Sequence, residues 1–255
     1  MTLNEFFEQH NRVALAFSGG VDSSYLLYAA MQAGAKVKAY YVKAQFQPQF
    51  EFDDAMKLAG QLGADVRIIR ADVLADPQVA ANPADRCYYC KRNIFSRILE
   101  AAGEDGYSLI LDGTNASDRA DDRPGMRALK EMEVRSPLRE CGLTKAMIRE
   151  LSREAGLFTW NKPAYACLAT RIPEGTEITE ELLTMTEQAE DYLFSLGFTD
   201  FRVRMVKNGF AGLQFPEDQI GRAFEMRQQI SAKLKDSFGY TKVLLDLENR
   251  NGQSH

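Results

Sequence analysis

A short apolar segment that leads through a glycine-rich turn into a helical pattern is the feature that most constrains the fold of this chain. Residues 13–17 are apolar, residues 18–24 read S-G-G-V-D-S-S, and residues 22–34 have helical spacing. A turn between a buried strand and a helix presents free backbone N–H groups and the positive end of the helix dipole to an anion. The sequence therefore predicts a phosphate-binding loop after the first strand.

Small and hydroxylated residues fill this loop. Glycine lets the backbone approach a phosphate closely, and serine hydroxyls can donate hydrogen bonds to it. The loop lacks the lysine of G-x-x-x-x-G-K-[ST] and does not match G-x-G-x-x-G, so neither of those nucleotide motifs applies. The predicted nucleotide-binding residues of the loop are Ser18, Gly19, Gly20, Asp22, Ser23 and Ser24.

Strand-like and helical segments alternate in the first part of the chain. Strand-like segments at 37–44, 66–69 and 109–111 are separated by helical patterns at 53–63 and 90–102. This alternation predicts an α/β fold in which helices cover both faces of a parallel sheet. Ligands of such sheets bind at the carboxyl ends of the strands, where the phosphate loop also lies.

A different pattern begins near the middle of the chain. Residues 160–175 are irregular and predict a long functional loop, after which the segments read helix, strand, strand, helix, strand. We therefore predict an α/β domain over residues 1–175 and a small α+β domain over residues 176–255. The last residues, 249–255, are expected to be frayed.

Charge and cysteine content exclude several classes of protein. The net charge is −5, whereas a protein that grips nucleic acid usually carries a basic excess, so we expect no nucleic-acid partner. The longest apolar run, at 25–31, is too short to span a membrane, and the polar N-terminus is unlike a secretory signal. Four cysteines in 255 residues do not make a disulfide scaffold, which favours a reduced, cytoplasmic compartment.

The cysteines themselves allow several interpretations. Cys87 and Cys90 form a C-x-x-C pair just before a predicted helix, Cys167 lies in the irregular loop, and Cys141 stands alone. The pair could be a redox dithiol, all four cysteines could bind structural zinc, or Cys87, Cys90 and Cys167 could hold an iron–sulfur cluster. Cys141 is expected to be a small, partly buried side chain. Neither His10 nor His255 is a convincing catalytic residue.

The loop resembles the PP-loop of the ATP pyrophosphatase superfamily. That superfamily uses a Rossmann-like, adenine nucleotide alpha hydrolase-like α/β domain to cleave ATP between the α- and β-phosphates and to attach AMP to a substrate oxygen. The resemblance implies that the loop holds pyrophosphate and that Asp22 helps to hold Mg²⁺.

Further strings, in order and spacing over essentially the whole chain, resemble the LarE family. They are D-G-T-N at 112–115, R-P-G at 123–125, R-S-P-L at 135–138, G-L-T-K at 142–145, W-N-K-P at 160–163, A-C-L-A-T-R-I-P at 166–173 and F-R-V-R at 201–204. LarE proteins supply sulfur to the nickel-pincer nucleotide cofactor of lactate racemase. The resemblance implies a small mononucleotide substrate, a sulfide or other sulfur donor, and a homo-oligomer.

The resemblance also assigns roles to individual residues. In one LarE type the cysteine matching Cys167 gives up its own sulfur. In the other type three cysteines hold a 4Fe-4S cluster that carries a transferable sulfide, and the pair Cys87 and Cys90 resembles this cluster type. Arg202 and Arg204, on one face of a strand, match a pair that LarE proteins use for the substrate phosphate.

Other polar residues are weaker candidates. Gly113 and Asn115, beside Asp112, are expected to contact the nucleotide because they follow a strand. A polar group after them contains Asp118, Asp121, Asp122 and Arg123, and Tyr88 is expected either to stack on a substrate ring or to pack. Three acids resemble metal ligands only loosely, namely Glu187, Glu190 and Asp218.

The hypothesis at this stage is an ATP-dependent sulfurtransferase that adenylates a carboxylate of a pyridinium mononucleotide and converts it into a thiocarboxylate. The sulfur would come through a 4Fe-4S cluster on the three cysteines, with Asp22 and Cys167 as catalytic residues. The alternatives are sacrificial sulfur donation from Cys167, a tRNA thiolase or amide-forming synthetase of the same superfamily, and a non-catalytic nucleotide-binding protein with a structural zinc site.

Overall fold

The computed structural model describes residues 1–118, 124–206 and 209–248, and the chain divides into two compact units. The first unit comprises Met1–Val79 and Asp85–Lys162, and the second comprises Ala80–Ala84 and Pro163–His255. The sequence predicted a boundary between residues 175 and 176, whereas the structure groups 163–175 with the second unit. The reason is that Arg171 of this segment pairs with Glu190, which lies in a helix of that unit.

A four-stranded parallel sheet forms the centre of the first unit, as the alternating pattern predicted. Its strand order is β3-β2-β1-β4. The strands are β1 Arg12–Ala16, β2 Lys36–Lys43, β3 Val66–Arg70 and β4 Ile110–Leu111. The helices are α1 Leu3–Gln9, α2 Val21–Gln32, α3 Gln49–Leu62, α4 Pro77–Ala80, α5 Arg86–Glu104, α6 Pro124–Glu131, α7 Pro137–Glu140 and α8 Lys145–Glu154.

Burial explains why the central strand reads as an uninterrupted apolar run. Val13, Ala14 and Leu15 of β1 are almost fully buried, because β1 has a strand on each side and helices over the sheet. A strand covered on both faces has no solvent side and therefore no alternation of polar residues. The predicted α/β class is confirmed.

Helix α5 begins earlier than the sequence predicted. We expected its start at residue 90, the second cysteine of the C-x-x-C pair, but it begins at Arg86, so Cys87 and Cys90 lie within its first two turns. Arg86 is itself buried, and the Tyr88 hydroxyl donates to Glu131 of α6 at 2.6 Å. Contacts with other elements therefore extend the helix through a stretch whose tyrosines have weak intrinsic helix propensity.

The second unit is a small α+β fold, as predicted. In its mixed sheet, β6 pairs antiparallel with β5 and parallel with β7. The single helix expected at 218–235 is two helices that meet at Met226. The elements are α9 Glu180–Ser195, β5 Arg202–Val206, β6 Phe210–Gln214, α10 Glu217–Glu225, α11 Arg227–Phe238 and β7 Lys242–Leu245.

The segment at 160–175 is irregular apart from short 3₁₀ turns. One turn, Phe158–Asn161, ends the first unit, and the other, Leu168–Arg171, follows Cys167 directly. Among the residues with described positions, no helix is long and apolar enough to cross a membrane.

Candidate active site

The phosphate loop connects β1 to α2 at the carboxyl edge of the parallel sheet. Gly19 has a φ of 73°, a left-handed conformation that favours glycine. A Cβ atom at this position would lie 2.5 Å from Cβ of Ala55 in α3. Both the backbone conformation and the close approach of α3 therefore require glycine here.

Hydrogen bonds within the loop set its shape. The Ser23 hydroxyl accepts from the Ser18 N–H at 3.2 Å and lies 3.0 Å from the Ser18 hydroxyl. The Ser18 hydroxyl also accepts from the Gly20 N–H at 3.4 Å. Ser24 is 0% exposed, and its hydroxyl has no hydrogen-bond partner within the described part of the chain. Ser23 therefore shapes the loop, and Ser18 is the more accessible of the predicted hydroxyl donors.

Lys145 is the residue at this site that the sequence reasoning missed. Its Nζ lies 2.6 Å from Oδ2 of Asp22, although the two residues are 123 positions apart. Thr144 caps α8 by accepting from the Met147 N–H, which places Lys145 at the first helical position. The G-L-T-K string contained this lysine, but periodicity alone does not show that α8 brings it to α2. The cation that the loop lacks is therefore supplied from another helix.

Asp22 lies in the first turn of α2, facing this lysine. Burial raises the pKa of the Asp22 carboxyl, Lys145 lowers it, and the charge of Asp118 raises it; the net result is a pKa above the usual value. The Asn115 side chain is 3.5 Å from the other Asp22 oxygen. This carboxylate is therefore positioned to face a cation.

The segment after β4 packs closely against the start of α2. A Cβ atom at Gly113 would lie 2.9 Å from the Ser23 nitrogen. Asp112 accepts hydrogen bonds from Thr114 and, at 2.6 Å, from Ser136, while the Asn115 N–H donates to Asp118 at 2.9 Å. Gly113 and Asn115 thus lie beside the phosphate loop. Asp121, Asp122, Arg123 and His255 fall outside the described residues.

None of the four cysteines forms a disulfide bond. Cys87 is exposed, and Cys90, Cys141 and Cys167 are half-buried; burial raises the pKa of Cys141. Over 1–118, 124–206 and 209–248, no three or more His, Cys, Asp and Glu side chains are grouped closely enough to hold a metal ion. Because Cys87 and Cys90 belong to the first unit and Cys167 to the second, the cluster on these three cysteines stays a prediction.

Tyr88 packs against its own unit. Its hydroxyl donates to Glu131, and the guanidinium of Arg127 lies 4.1 Å from the centre of its ring. Of the two roles considered for Tyr88, the structure shows packing.

In the second unit, Arg202 and Arg204 of β5 hold the loop that carries Cys167. Nη2 of Arg202 donates to the Ala164 carbonyl at 2.6 Å, and Nη1 of Arg204 donates to the Thr170 carbonyl at 3.0 Å. Arg202 is only 5% exposed, whereas Arg204 is half-buried. Arg202 therefore binds the loop on the N-terminal side of Cys167, and Arg204 binds it on the C-terminal side.

Glu190 differs from the metal ligand that was considered for it. Its two oxygens accept from Arg171 at 2.8 and 3.2 Å, from the Val203 N–H at 2.9 Å and from the Tyr165 hydroxyl. A carboxylate has about four lone-pair positions, so these four bonds use its acceptor capacity. As placed, Glu190 has no lone pair left for a metal.

The fold and the loop together define a PP-loop nucleotide-binding domain. Residues 11–100 match the family model described as the tRNA methyl transferase HUP domain. The chain is 37% identical to the pyridinium-3,5-bisthiocarboxylic acid mononucleotide synthase of Lactiplantibacillus plantarum, over 96% of this chain and 89% of that protein.

Two further relatives match the same share of the chain. An uncharacterized protein of Synechocystis sp. is 36% identical over 96% of this chain and 92% of its own length, and one of Methanocaldococcus jannaschii is 29% identical over 96% and 93%. Because the chain is 37% identical to the pyridinium-3,5-bisthiocarboxylic acid mononucleotide synthase over 96% of its length, it belongs to the LarE family of ATP-dependent sulfurtransferases.

Proposed function

We propose that this enzyme uses ATP to convert a carboxylate of a pyridinium mononucleotide into a thiocarboxylate. The observation that carries the proposal is the PP-loop at the start of α2, where Asp22 faces Lys145 of α8, in a chain that is 37% identical to a pyridinium-3,5-bisthiocarboxylic acid mononucleotide synthase. We further propose a reduced, cytoplasmic setting, because four cysteines in 255 residues do not make a disulfide scaffold, and a homo-oligomer, because the family resemblance implies one.

The chemical problem is that a carboxylate resists nucleophiles, because oxide is a very poor leaving group. Transfer of AMP to the carboxylate oxygen gives an acyl-adenylate and releases pyrophosphate; sulfur then attacks the acyl carbon and expels AMP. The N–H groups at the start of α2 and the Lys145 ammonium stabilise the charge that develops on pyrophosphate. Because an acyl-adenylate hydrolyses in water, the sulfur must reach the acyl carbon before the acyl-adenylate leaves the enzyme.

Asp22 fits a magnesium ion at this loop. Mg²⁺ at nucleotide sites is held by one or two carboxylates together with phosphate oxygens, and Asp22 is a partly buried carboxylate that already faces a cation. When bound, Mg²⁺ would neutralise phosphate charge in the transition state. Lys145 would then exchange its contact with Asp22 for one with the phosphates.

The substrate phosphate is assigned to Arg204 and Arg202. Support comes from the match to F-R-V-R and from the partial exposure of Arg204, whose planar guanidinium suits a phosphate. Arg202 contributes mainly by holding the loop at Ala164.

Two sources are considered for the sulfur that is transferred to the acyl carbon. The C-x-x-C pair, through its resemblance to the cluster type, supports a 4Fe-4S cluster on Cys87, Cys90 and Cys167. We propose that one of two states delivers sulfur: a cluster that assembles on reconstitution, or the Cys167 thiol itself.

Iron and sulfide analysis separates these states. After anaerobic reconstitution we expect about four iron and four sulfide per chain, with a broad visible absorption that Cys87→Ala abolishes and Cys141→Ala retains. Zinc alone, or no metal, would exclude the cluster. Sacrificial donation would then appear as loss of one sulfur from Cys167 by peptide mass spectrometry.

A comparison of acceptors tests the proposed function. Pyrophosphate release from ATP should require the pyridinium biscarboxylate mononucleotide, and neither unmodified tRNA nor ammonia with a free carboxylic acid should replace it. Release that depends on tRNA would indicate a tRNA thiolase. ATP binding with no release under any condition would indicate a non-catalytic nucleotide-binding protein.

A further inference from the structure

The loop that carries Cys167 is tied to the rest of its unit by a buried polar cluster centred on Glu190. This cluster comprises Glu190 of α9, Arg171 and Tyr165 of the loop, and Val203 of β5. The Arg171 and Glu190 side chains are each 1% exposed. Burying a charged pair is costly unless its hydrogen bonds are satisfied, so a pair this deep indicates a specific requirement for it.

Arg171 uses one end of its guanidinium for Glu190 and the other for the loop. Its Nε and Nη2 donate to the two Glu190 oxygens, whereas Nη1 donates to the Ala166 carbonyl at 3.1 Å and to the Thr170 hydroxyl at 2.7 Å. The Thr170 hydroxyl in turn donates to the Cys167 carbonyl at 2.8 Å. A continuous chain of hydrogen bonds therefore runs from Glu190 to the backbone of Cys167.

Tyr165 fastens the loop on the other side of Cys167. Burial raises the pKa of its hydroxyl, which therefore stays protonated and donates to Glu190. The guanidiniums of Arg171 and Arg202 lie 4.6 and 5.0 Å from the centre of its ring. Residues two before and four after Cys167 thus bind one carboxylate.

We propose that Glu190 is the positioning residue for Cys167: it holds the ends of the loop together so that the Cys167 thiol keeps one orientation. Glu190 acts through the groups that it binds, which are Arg171, Tyr165 and the Val203 N–H. The consequence for sulfur transfer rests on the proposed function, whereas the consequence for the loop does not.

Alkylation of Cys167 by iodoacetamide at one fixed pH, resolved by peptide mass spectrometry, tests the loop directly. In Glu190→Gln the alkylation rate should rise about tenfold, because a neutral amide binds Arg171 more weakly and the loop opens more often. Cys87, in the other unit, should keep its rate. Glu181→Gln, at an exposed acid near the start of α9, is the matched control and should leave the Cys167 rate unchanged.

An unchanged Cys167 rate in Glu190→Gln, or the same rise in Glu181→Gln, would overturn the proposal. An equal rise at Cys87 would also overturn it, because it would indicate general loosening. Tyr165→Phe removes one bond to Glu190 without changing charge; it should raise the Cys167 rate by a smaller factor and provides the test if Glu190→Gln does not fold.

Turnover gives the second measurement. Glu190→Gln should lower kcat for thiocarboxylate formation while leaving KM for ATP unchanged, and Glu190→Asp should restore part of kcat. If labelling changes as expected but no variant, including the wild type, makes thiocarboxylate, the proposed function fails and the positioning role stands. A rise in KM for ATP with unchanged kcat would contradict positioning.

Discussion

Asp22→Asn is expected to lower mononucleotide-dependent pyrophosphate release from ATP by about 10²–10³-fold, the usual loss when one electrostatic contact to a transition state is removed. Asp22 is the carboxylate at the phosphate loop that faces a cation, and Lys145 already approaches it to 2.6 Å. An asparagine keeps the shape of the side chain but cannot supply the charge that holds Mg²⁺ against the phosphates.

Two matched variants make this result specific. Asp65→Asn removes an exposed carboxylate before β3, at the opposite edge of the sheet, and should leave pyrophosphate release unchanged. Lys145→Met removes the ammonium that faces Asp22 and should weaken binding of a non-hydrolysable ATP analogue. Undiminished release in Asp22→Asn, with the fold intact by circular dichroism, would remove Asp22 from the mechanism.

Arg171→Met is expected to lower the free energy of unfolding by about 3–5 kcal/mol, because removing one partner of a buried ion pair leaves the other charge uncompensated. The remaining charge would be Glu190, which is 1% exposed and would keep only the Tyr165 hydroxyl and the Val203 N–H. Denaturant titration followed by circular dichroism measures the change.

A double variant identifies the cause of this loss. Arg171→Met combined with Glu190→Leu replaces both charges by apolar side chains and should recover much of the lost stability, since such replacements are often neutral or better. A double variant as unstable as the sum of the two single variants would show that packing, and not an unpaired charge, is responsible. Thiocarboxylate formation should stay low in the double variant, because the loop is no longer held.

The sequence predicted the elements whose signals are local. The β1 segment, the glycine turn and α2 are consecutive, so apolar runs and turn residues were enough to place the phosphate loop. The parallel sheet followed from the alternation of strand-like and helical segments.

The interactions that depend on distant segments were not predictable in this way. The contact between Lys145 and Asp22 requires α8 to approach α2, and no periodicity in either helix encodes it. The contacts of Glu190 with Arg171 and Tyr165 were not predictable either, because helical spacing shows which residues share a face but not what that face meets. The early start of α5 likewise depends on α6, through Tyr88 and Glu131.

The central claim is that the enzyme converts a carboxylate into a thiocarboxylate at the expense of ATP. A measurement of how much carboxylate oxygen is replaced by sulfur in the mononucleotide tests it most directly. The enzyme is incubated with ATP, Mg²⁺, a sulfide source and the pyridinium biscarboxylate mononucleotide. The mononucleotide and adenine nucleotide products are then separated, and their masses and amounts are measured by mass spectrometry. We predict one AMP and one pyrophosphate for each carboxylate oxygen exchanged for sulfur, with no thiocarboxylate in Asp22→Asn. Formation of ADP and phosphate, or AMP release without sulfur in the mononucleotide, would contradict the account.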